Sequence, residues 1–241
     1  MIDVVRCADS GDLARRAAAL LLDRLAAKPD LAVAVPAGRT PRAMYGLLRA
    51  AHAGDPSRFG RMRVFAVDEL CPPAPPDGYF WRQIRSEFLD WARVPEAQRH
   101  PFSVAAPDLE AMCREYEAAI RAAGGLDLVM LGLGPNGHLA SNEPGSSWDS
   151  RTRPVELLPD TVAYILTDEV IQGPVSSRAV TLGLKTIAEA PEVVVLVSGA
   201  HKRAALRATL EGPVTPALPA SILRRHPRCT VLAGRAALES P

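Results

Sequence analysis

No stretch of the chain approaches the ~18 to 20 uninterrupted apolar residues that a membrane-spanning helix requires. The opening, MIDVVRCADSGD, lacks the basic segment and following apolar segment of a secretory leader, so the protein is expected in the cytoplasm. An excess of charge of either sign is also missing. Lys and Arg number 28 against 27 Asp and Glu, a formal net charge of +1, which provides no global field for nucleic acid or an anionic membrane. Neither is an expected partner, and any bound anion must be held locally. Cysteine is scarce: Cys7, Cys71, Cys113 and Cys229 lie far apart with no CxxC pair, which argues against a disulfide framework and structural zinc. Buried thiols are the expectation. The 17 glycines and 22 prolines follow no period, and there is no internal repeat or Gly/Ser linker, so collagen-like and low-complexity architectures fall away.

What remains is a 241-residue chain, 48% apolar and 23% charged, the composition of a soluble globular protein. A single domain over residues 1–241 is expected. Along it, amphipathic helices alternate with short apolar runs. Ser10 is expected to cap a helix through Leu13, Ala17, Leu21 and Leu25, followed by a buried strand at 31–35. Thr40-Pro41 reads as a hydroxyl cap with proline at the first helical position, opening a helix through Met44, Tyr45 and Leu48. Strands are expected at 64–67, 126–132, 193–198 and 229–233, and helices at 79–91, 108–123 and 201–210. Strands that are apolar throughout fit a parallel sheet covered on both faces. The expected fold is therefore α/β: a single doubly wound, mostly parallel sheet with helices on both faces, a Rossmann-like arrangement. Residues 154–174 are poorly periodic and read as an excursion over the sheet.

In an open α/β sheet ligands sit beyond the carboxyl ends of the strands, which directs attention to three loops. VPAGRTP, residues 35–41, sends backbone amides, a helix N-terminus and the Thr40 hydroxyl toward one place, as suits a phosphate. It matches neither the nucleotide P-loop nor the dinucleotide fingerprint, and a capped turn without a ligand would read the same. Asp68 and Glu69 follow a buried strand; neighbours on an extended chain point to opposite sides, so one faces the pocket while the other orients a partner or caps a helix. The densest segment is LGLGPNGHLASNEPGSS, residues 131–147, where glycines let the backbone approach a ligand and His138 stands five residues before Glu143. A histidine beside a carboxylate suits proton transfer near neutral pH. His52, His100 and His226 have no site-forming neighbours, and Trp81 and Trp91 read as packing.

PAGRTPRAMY, FAVDEL, GLGPNGHLASNEPGSSWDSRTR, AVTLGLKTI and SGAHKRAALRATLEG, in this order, resemble the glucosamine-6-phosphate deaminase/6-phosphogluconolactonase superfamily nearly end to end. GHLASNEPGSSWDSRTR is close to the deaminase signature. The resemblance implies a conversion, without cofactor or metal, of a phosphorylated amino sugar to a ketose 6-phosphate with release of ammonia. It further implies that Asp68 moves a proton between C2 and C1, that His138 assisted by Glu143 opens the sugar ring, and that Gly38, Arg39, Thr40 and Lys202 hold the phosphate.

Several positions depart from the pattern. Asn136 stands where many deaminases have aspartate, and it joins the expected catalytic group. Leu70 replaces a usual tyrosine. The lid, expected at about 154–178, carries Thr167 where the family brings an arginine to the phosphate, and Arg178 is the expected substitute. Ser141 gives GHLAS, which looks like the lactonases' GHTAS, so a lactone hydrolase in which His138 activates water is the alternative. A non-catalytic sugar-phosphate sensor is a third. In regulated deaminases an N-acetylamino-sugar phosphate is held between subunits by residues matching Ser146, Ser147 and Arg153, a lysine matching Val155 and a C-terminal tyrosine. With Val155 and a chain ending at Pro241, no such activation is expected, and the protein is expected as a monomer or homo-oligomer.

Overall fold

The computed structural model describes residues 2–169 and 171–239. The chain opens with β1 (Asp3–Cys7), α1 (Ser10–Ala27), β2 (Ala32–Val35), α2 (Arg39–Gly54) and β3 (Arg63–Ala66). After β4 (Asp68–Leu70) come α3 (Phe80–Ile84), β5 (Arg99–His100), α4 (Leu109–Ala122) and β6 (Leu128–Gly132). The second half holds β7 (Arg153–Glu156), α5 (Pro159–Ile165), β8 (Arg178–Thr181), α6 (Leu184–Ala188), β9 (Glu192–Val197), α7 (Arg203–Glu211), β10 (Cys229–Gly234) and α8 (Arg235–Leu238).

Seven strands form one sheet in the order β1-β10-β9-β6-β2-β3-β5, with every neighbouring pair parallel. AVAV in β2 and EVVVLV in β9 are buried at every position, as expected of strands covered on both faces. The doubly wound sheet is thus the one the apolar runs foretold. Chain order reverses between β2 and β6: from β2 the chain moves outward to β3 and β5, then returns to β6 on the other side. That reversal is the switch point at which open α/β sheets bind ligands. Among the described residues no helix is long and apolar enough to cross a membrane.

Three local expectations are corrected. The cap of α1 is Asp9, whose carboxylate accepts from Asp12 N at 2.7 Å, and Ser10 is already helical. Helix α2 begins at Arg39 behind Gly38, so Thr40 lies inside the first turn and caps nothing. Gly38 has φ +97°, a conformation that turns the chain into the helix earlier than a threonine cap would and that side chains rarely adopt. The single helix expected over 79–91 divides into α3 and a wider turn at Arg85–Leu89. The tryptophans pack as expected, Trp91 against His52, Phe59 and Phe88.

A second sheet, β4-β8-β7, is antiparallel throughout and was not anticipated. Its strands have three or four residues, too short for their alternation to stand out, and β4 follows β3 so closely that its residues read as the loop after that strand. Leu70, Tyr79, Leu157 and Ala179 form its own small core. The chain between β7 and β8, which includes α5, supplies a wall of the cleft described next.

Candidate active site

One cleft opens at the switch point. It is lined by residues 36–41 after β2, by Val67 and Asp68, by the loop after β6 with Gly134, His138, Ala140 and Ser141, by Thr161, Tyr164, Ile165, Asp168 and Ile171, and by Lys202. All three loops singled out in the sequence meet there.

The cationic end of the cleft is built on the start of α2. Gln83, buried on α3, accepts from Gly38 N at 2.9 Å through Oε1 and donates to Gly38 O at 3.0 Å through Nε2. Its Nε2 also donates to Glu87, whose other oxygen accepts from Arg42 at 2.8 Å. Nothing in the sequence marked Gln83, because its partner is a backbone forty-five residues away. Thr40 Oγ1 lies 3.4 Å from Ser198 Oγ at the end of β9. Lys202, read from sequence as a solvated face apart from the family match, is only 7% exposed and makes no hydrogen bond or ion pair among the described residues. Burial, with Arg39 nearby, pushes its pKa down to about 8. A buried ammonium without a partner is costly and calls for an anion. Arg39 lies beneath Tyr164, its guanidinium carbon 5.4 Å from the ring centre, donates to Thr167 Oγ1 at 2.5 Å, and pairs with Asp168 at 3.6 Å. Arg42 pairs with Asp168 at the same distance.

Arg178 takes no part in the site. It is exposed at the start of β8, paired with Glu156 on β7 at 3.4 Å, and does not line the cleft. The antiparallel register that sets Arg178 opposite Glu156 puts it at the outer end of the second sheet. Thr167, the position matching the family's lid arginine, instead meets Arg39.

At the other end stand the acids and the histidine. Asp68 opens β4, half-buried, with Oδ2 accepting from Ser141 Oγ at 2.8 Å. Desolvation raises its pKa to about 6 against the Ser141 hydrogen bond and the nearby His138, which both favour the ionised form. Glu69 points the other way, as alternation along a strand requires. Its carboxylate accepts four backbone N–H bonds, from Leu70, Tyr79, Phe80 and Trp81 at 2.7–3.1 Å, and so anchors the start of α3. Burial pushes its pKa up to about 7 against those four donors. Glu69→Leu leaves four N–H groups without an acceptor, and is expected to destabilise the protein by ~3–5 kcal/mol, read as a lower urea midpoint.

Glu143 is buried after β6. Burial works against its charge, but His138, the Thr161 hydroxyl and Asn136 outweigh it and hold its pKa at about 2. Asn136 donates to Glu143 Oε2 at 2.7 Å, Leu158 N donates to Oε1 at 3.2 Å, and Asn136 Oδ1 accepts from His138 N at 3.1 Å. His138 Nδ1 lies 3.7 Å from Glu143 Oε2, within ion-pair range, and makes no hydrogen bond. The ring packs over Gly134, where a Cβ would stand 2.3 Å from it, so only glycine leaves room for the histidine there. Ser141, Gln83, Thr161, Tyr164 and Asp168 are among the polar groups here that sequence reasoning did not assign to the site. Among the described residues no three His, Cys, Asp or Glu side chains converge as a metal site would need.

The arrangement therefore joins a cationic end, with Arg39 and Lys202, to an end that carries Asp68 and His138 within one cleft. A family model described as glucosamine-6-phosphate isomerases/6-phosphogluconolactonase matches residues 8–232. The glucosamine-6-phosphate deaminase of Pseudarthrobacter chlorophenolicus is 39% identical over 239 residues, covering 98% of this chain and 91% of that protein. The solved structure of a monomeric glucosamine-6-phosphate deaminase superposes with a TM-score of 0.90 at 31% identity, covering 98% of both chains. The 6-phosphogluconolactonase of Trypanosoma cruzi superposes at 0.80 over 98% of this chain with 22% identity, a likeness of fold.

Proposed function

Because the chain belongs to the glucosamine-6-phosphate isomerase/6-phosphogluconolactonase family, we propose that it converts glucosamine 6-phosphate, or a closely related amino-sugar 6-phosphate, to a ketose 6-phosphate and ammonia, without a cofactor. The observation that supports this reading is that Asp68 and His138, the latter backed by Glu143 and Asn136, share one cleft with Lys202, which is buried and without a partner among the described residues.

The phosphate binds at Gly38, Arg39, Thr40 and Lys202. Its remote binding energy fixes the sugar against the acid–base groups. His138, held by Asn136 and beside the ionised Glu143, moves the proton from the C1 hydroxyl to the ring oxygen and opens the ring. With C1 an aldehyde, the C2 proton becomes acidic, and ionised Asp68 removes it. The C2–H electrons form a C1–C2 double bond, the carbonyl electrons pass to O1, and O1 takes up a proton given up by the amino group, leaving an enol that carries the amine at C2. The same carboxyl returns the proton to C1. The nitrogen is then an imine at C2, and addition of water and loss of ammonia give the ketone. A base whose pKa is about 6 is ionised at neutral pH yet still basic enough for this transfer. In the same reading the enzyme works in the cytoplasm on a small anionic sugar.

Incubation with glucosamine 6-phosphate, galactosamine 6-phosphate and 6-phosphogluconolactone separately tests the reading. Ammonia is expected from an amino sugar; acid release from the lactone alone would assign the lactonase activity instead. A second expected result concerns pH. Asp68 must be ionised, so kcat/KM rises with pH through about 6; Lys202 must be protonated to hold phosphate, so it falls above about 8. A bell between those limits is expected, and a profile flat to pH 10 would remove Lys202 from the phosphate end.

A further inference from the structure

Asp68 does not stand alone. It is the register partner of Thr181, the last residue of β8, in the second sheet. Thr181 Oγ1 donates to Leu182 O at 3.1 Å, which leaves its lone pairs to accept from Ser141 N at 3.1 Å. Ser141 Oγ then donates to Asp68 Oδ2 at 2.8 Å. Both hydroxyl residues are buried. Ala140, just before Ser141, has φ +50°, a conformation uncommon for a residue with a side chain and one that strains the turn. The turn is fixed further by Asn142, wholly buried, which donates to Leu139 O and Leu182 O and accepts from Arg153.

We propose that Ser141 and Thr181 are positioning residues for Asp68: the two hydroxyls lock one carboxylate oxygen to the loop that carries His138 and leave the other to take the C2 proton. Oδ2 is committed to Ser141, while Oδ1 makes no hydrogen bond among the described residues. Oδ1 therefore accepts the proton as the C2–H electrons form the C1–C2 double bond, and it gives the same proton back to C1. Proton removal and return through one oxygen keep the transfer on one face of the sugar. The inference rests on Asp68 being the base of the proposed reaction.

The titratable groups that share the cleft with Asp68 are Arg39, His138, Tyr164, Asp168 and Lys202. Its chain neighbour Glu69 faces away, and Arg178 on β8 is exposed and paired with Glu156. Of these, His138 bears on the charge of Asp68, and the Ser141 variants leave it in place.

Three variants test the proposal. Ser141→Ala removes one hydrogen bond to a charged group, and is expected to lower kcat about tenfold with KM unchanged. The hydroxyl it deletes stabilises the ionised carboxyl, so Asp68 then titrates at higher pH. Ser141→Thr keeps the hydroxyl and restores both. Thr181→Val keeps the shape but removes the acceptor behind Ser141, with a smaller change in the same direction. Because substrate phosphate itself ionises near pH ~6, the titration is followed directly by carbon-13 NMR of labelled aspartate carboxyls, assigned with Asp68→Asn. Wild-type kcat and an unmoved Asp68 titration in folded Ser141→Ala, or in folded Thr181→Val should Ser141→Ala not fold, would overturn the proposal. A moved titration without ammonia from any amino-sugar phosphate would leave the positioning standing and remove the proposed reaction.

Discussion

Asp68→Asn is expected to lower turnover at least ~100-fold, the usual reach of a general base, while sugar-phosphate binding stays nearly intact. The asymmetry follows from where the residue sits. Asp68 belongs to the second sheet, and the groups proposed for the phosphate belong to the loop after β2 and to the start of α7, so the substitution leaves the binding end untouched. Asparagine keeps the volume and can still accept from Ser141, but it cannot take a proton from carbon. Exchange of the C2 hydrogen in heavy water should vanish with turnover, and binding of a non-reacting sugar phosphate, measured calorimetrically, should be within a few-fold of wild type. Wild-type exchange in the variant would show that another group is the base.

Lys202→Met should do the reverse. Loss of one charge-assisted contact to a phosphate removes roughly 1.5–3 kcal/mol, so kcat/KM falls by ~10- to 150-fold, mostly through KM. The alkaline limb of the pH profile disappears with it. Stability moves the other way. Lys202 has its pKa pushed from 10.5 to about 8 by burial, so at neutral pH the folded protein holds a charge that the unfolded chain would solvate better. The penalty, on the order of 3 kcal/mol, is present below about pH 8 and fades as the folded lysine loses its proton between there and 10.5. Methionine of similar length avoids it, and the variant should melt at higher temperature at pH 7. A lower melting temperature would mean that Lys202 has a structural partner in the free protein.

The central sheet was legible because its strands announce themselves. AVAV in β2 and VVVLV, residues 193–197 of β9, are apolar at every residue, a pattern with few alternatives once helical periods flank it. The second sheet was not, since β4 is three residues long and takes its identity from pairing with a strand more than a hundred residues later. The same distance hid the arginine question. Arg178 stands near Thr167 in sequence and carries the right charge, but strand pairing between β7 and β8 turns it to Glu156. His138, Glu143 and Asn136 could be found because a sharp glycine turn confines them to eight residues. Ser141 stood out in that motif only for its likeness to the lactonases, and its contact with Asp68 is visible only when Asp68 arrives from another strand.

Gln83 gives the loop before α2 a partner that pairs with both the N–H and the C=O of Gly38, much as a neighbouring strand would. The loop is thereby held in shape before any substrate arrives. Freezing one residue's backbone costs about 1–2 kcal/mol, a cost met during folding here and absent from the association step. Affinity for the sugar is in this sense set in advance by a buried amide that never touches it, and a looser loop with identical contacts to phosphate would bind more weakly.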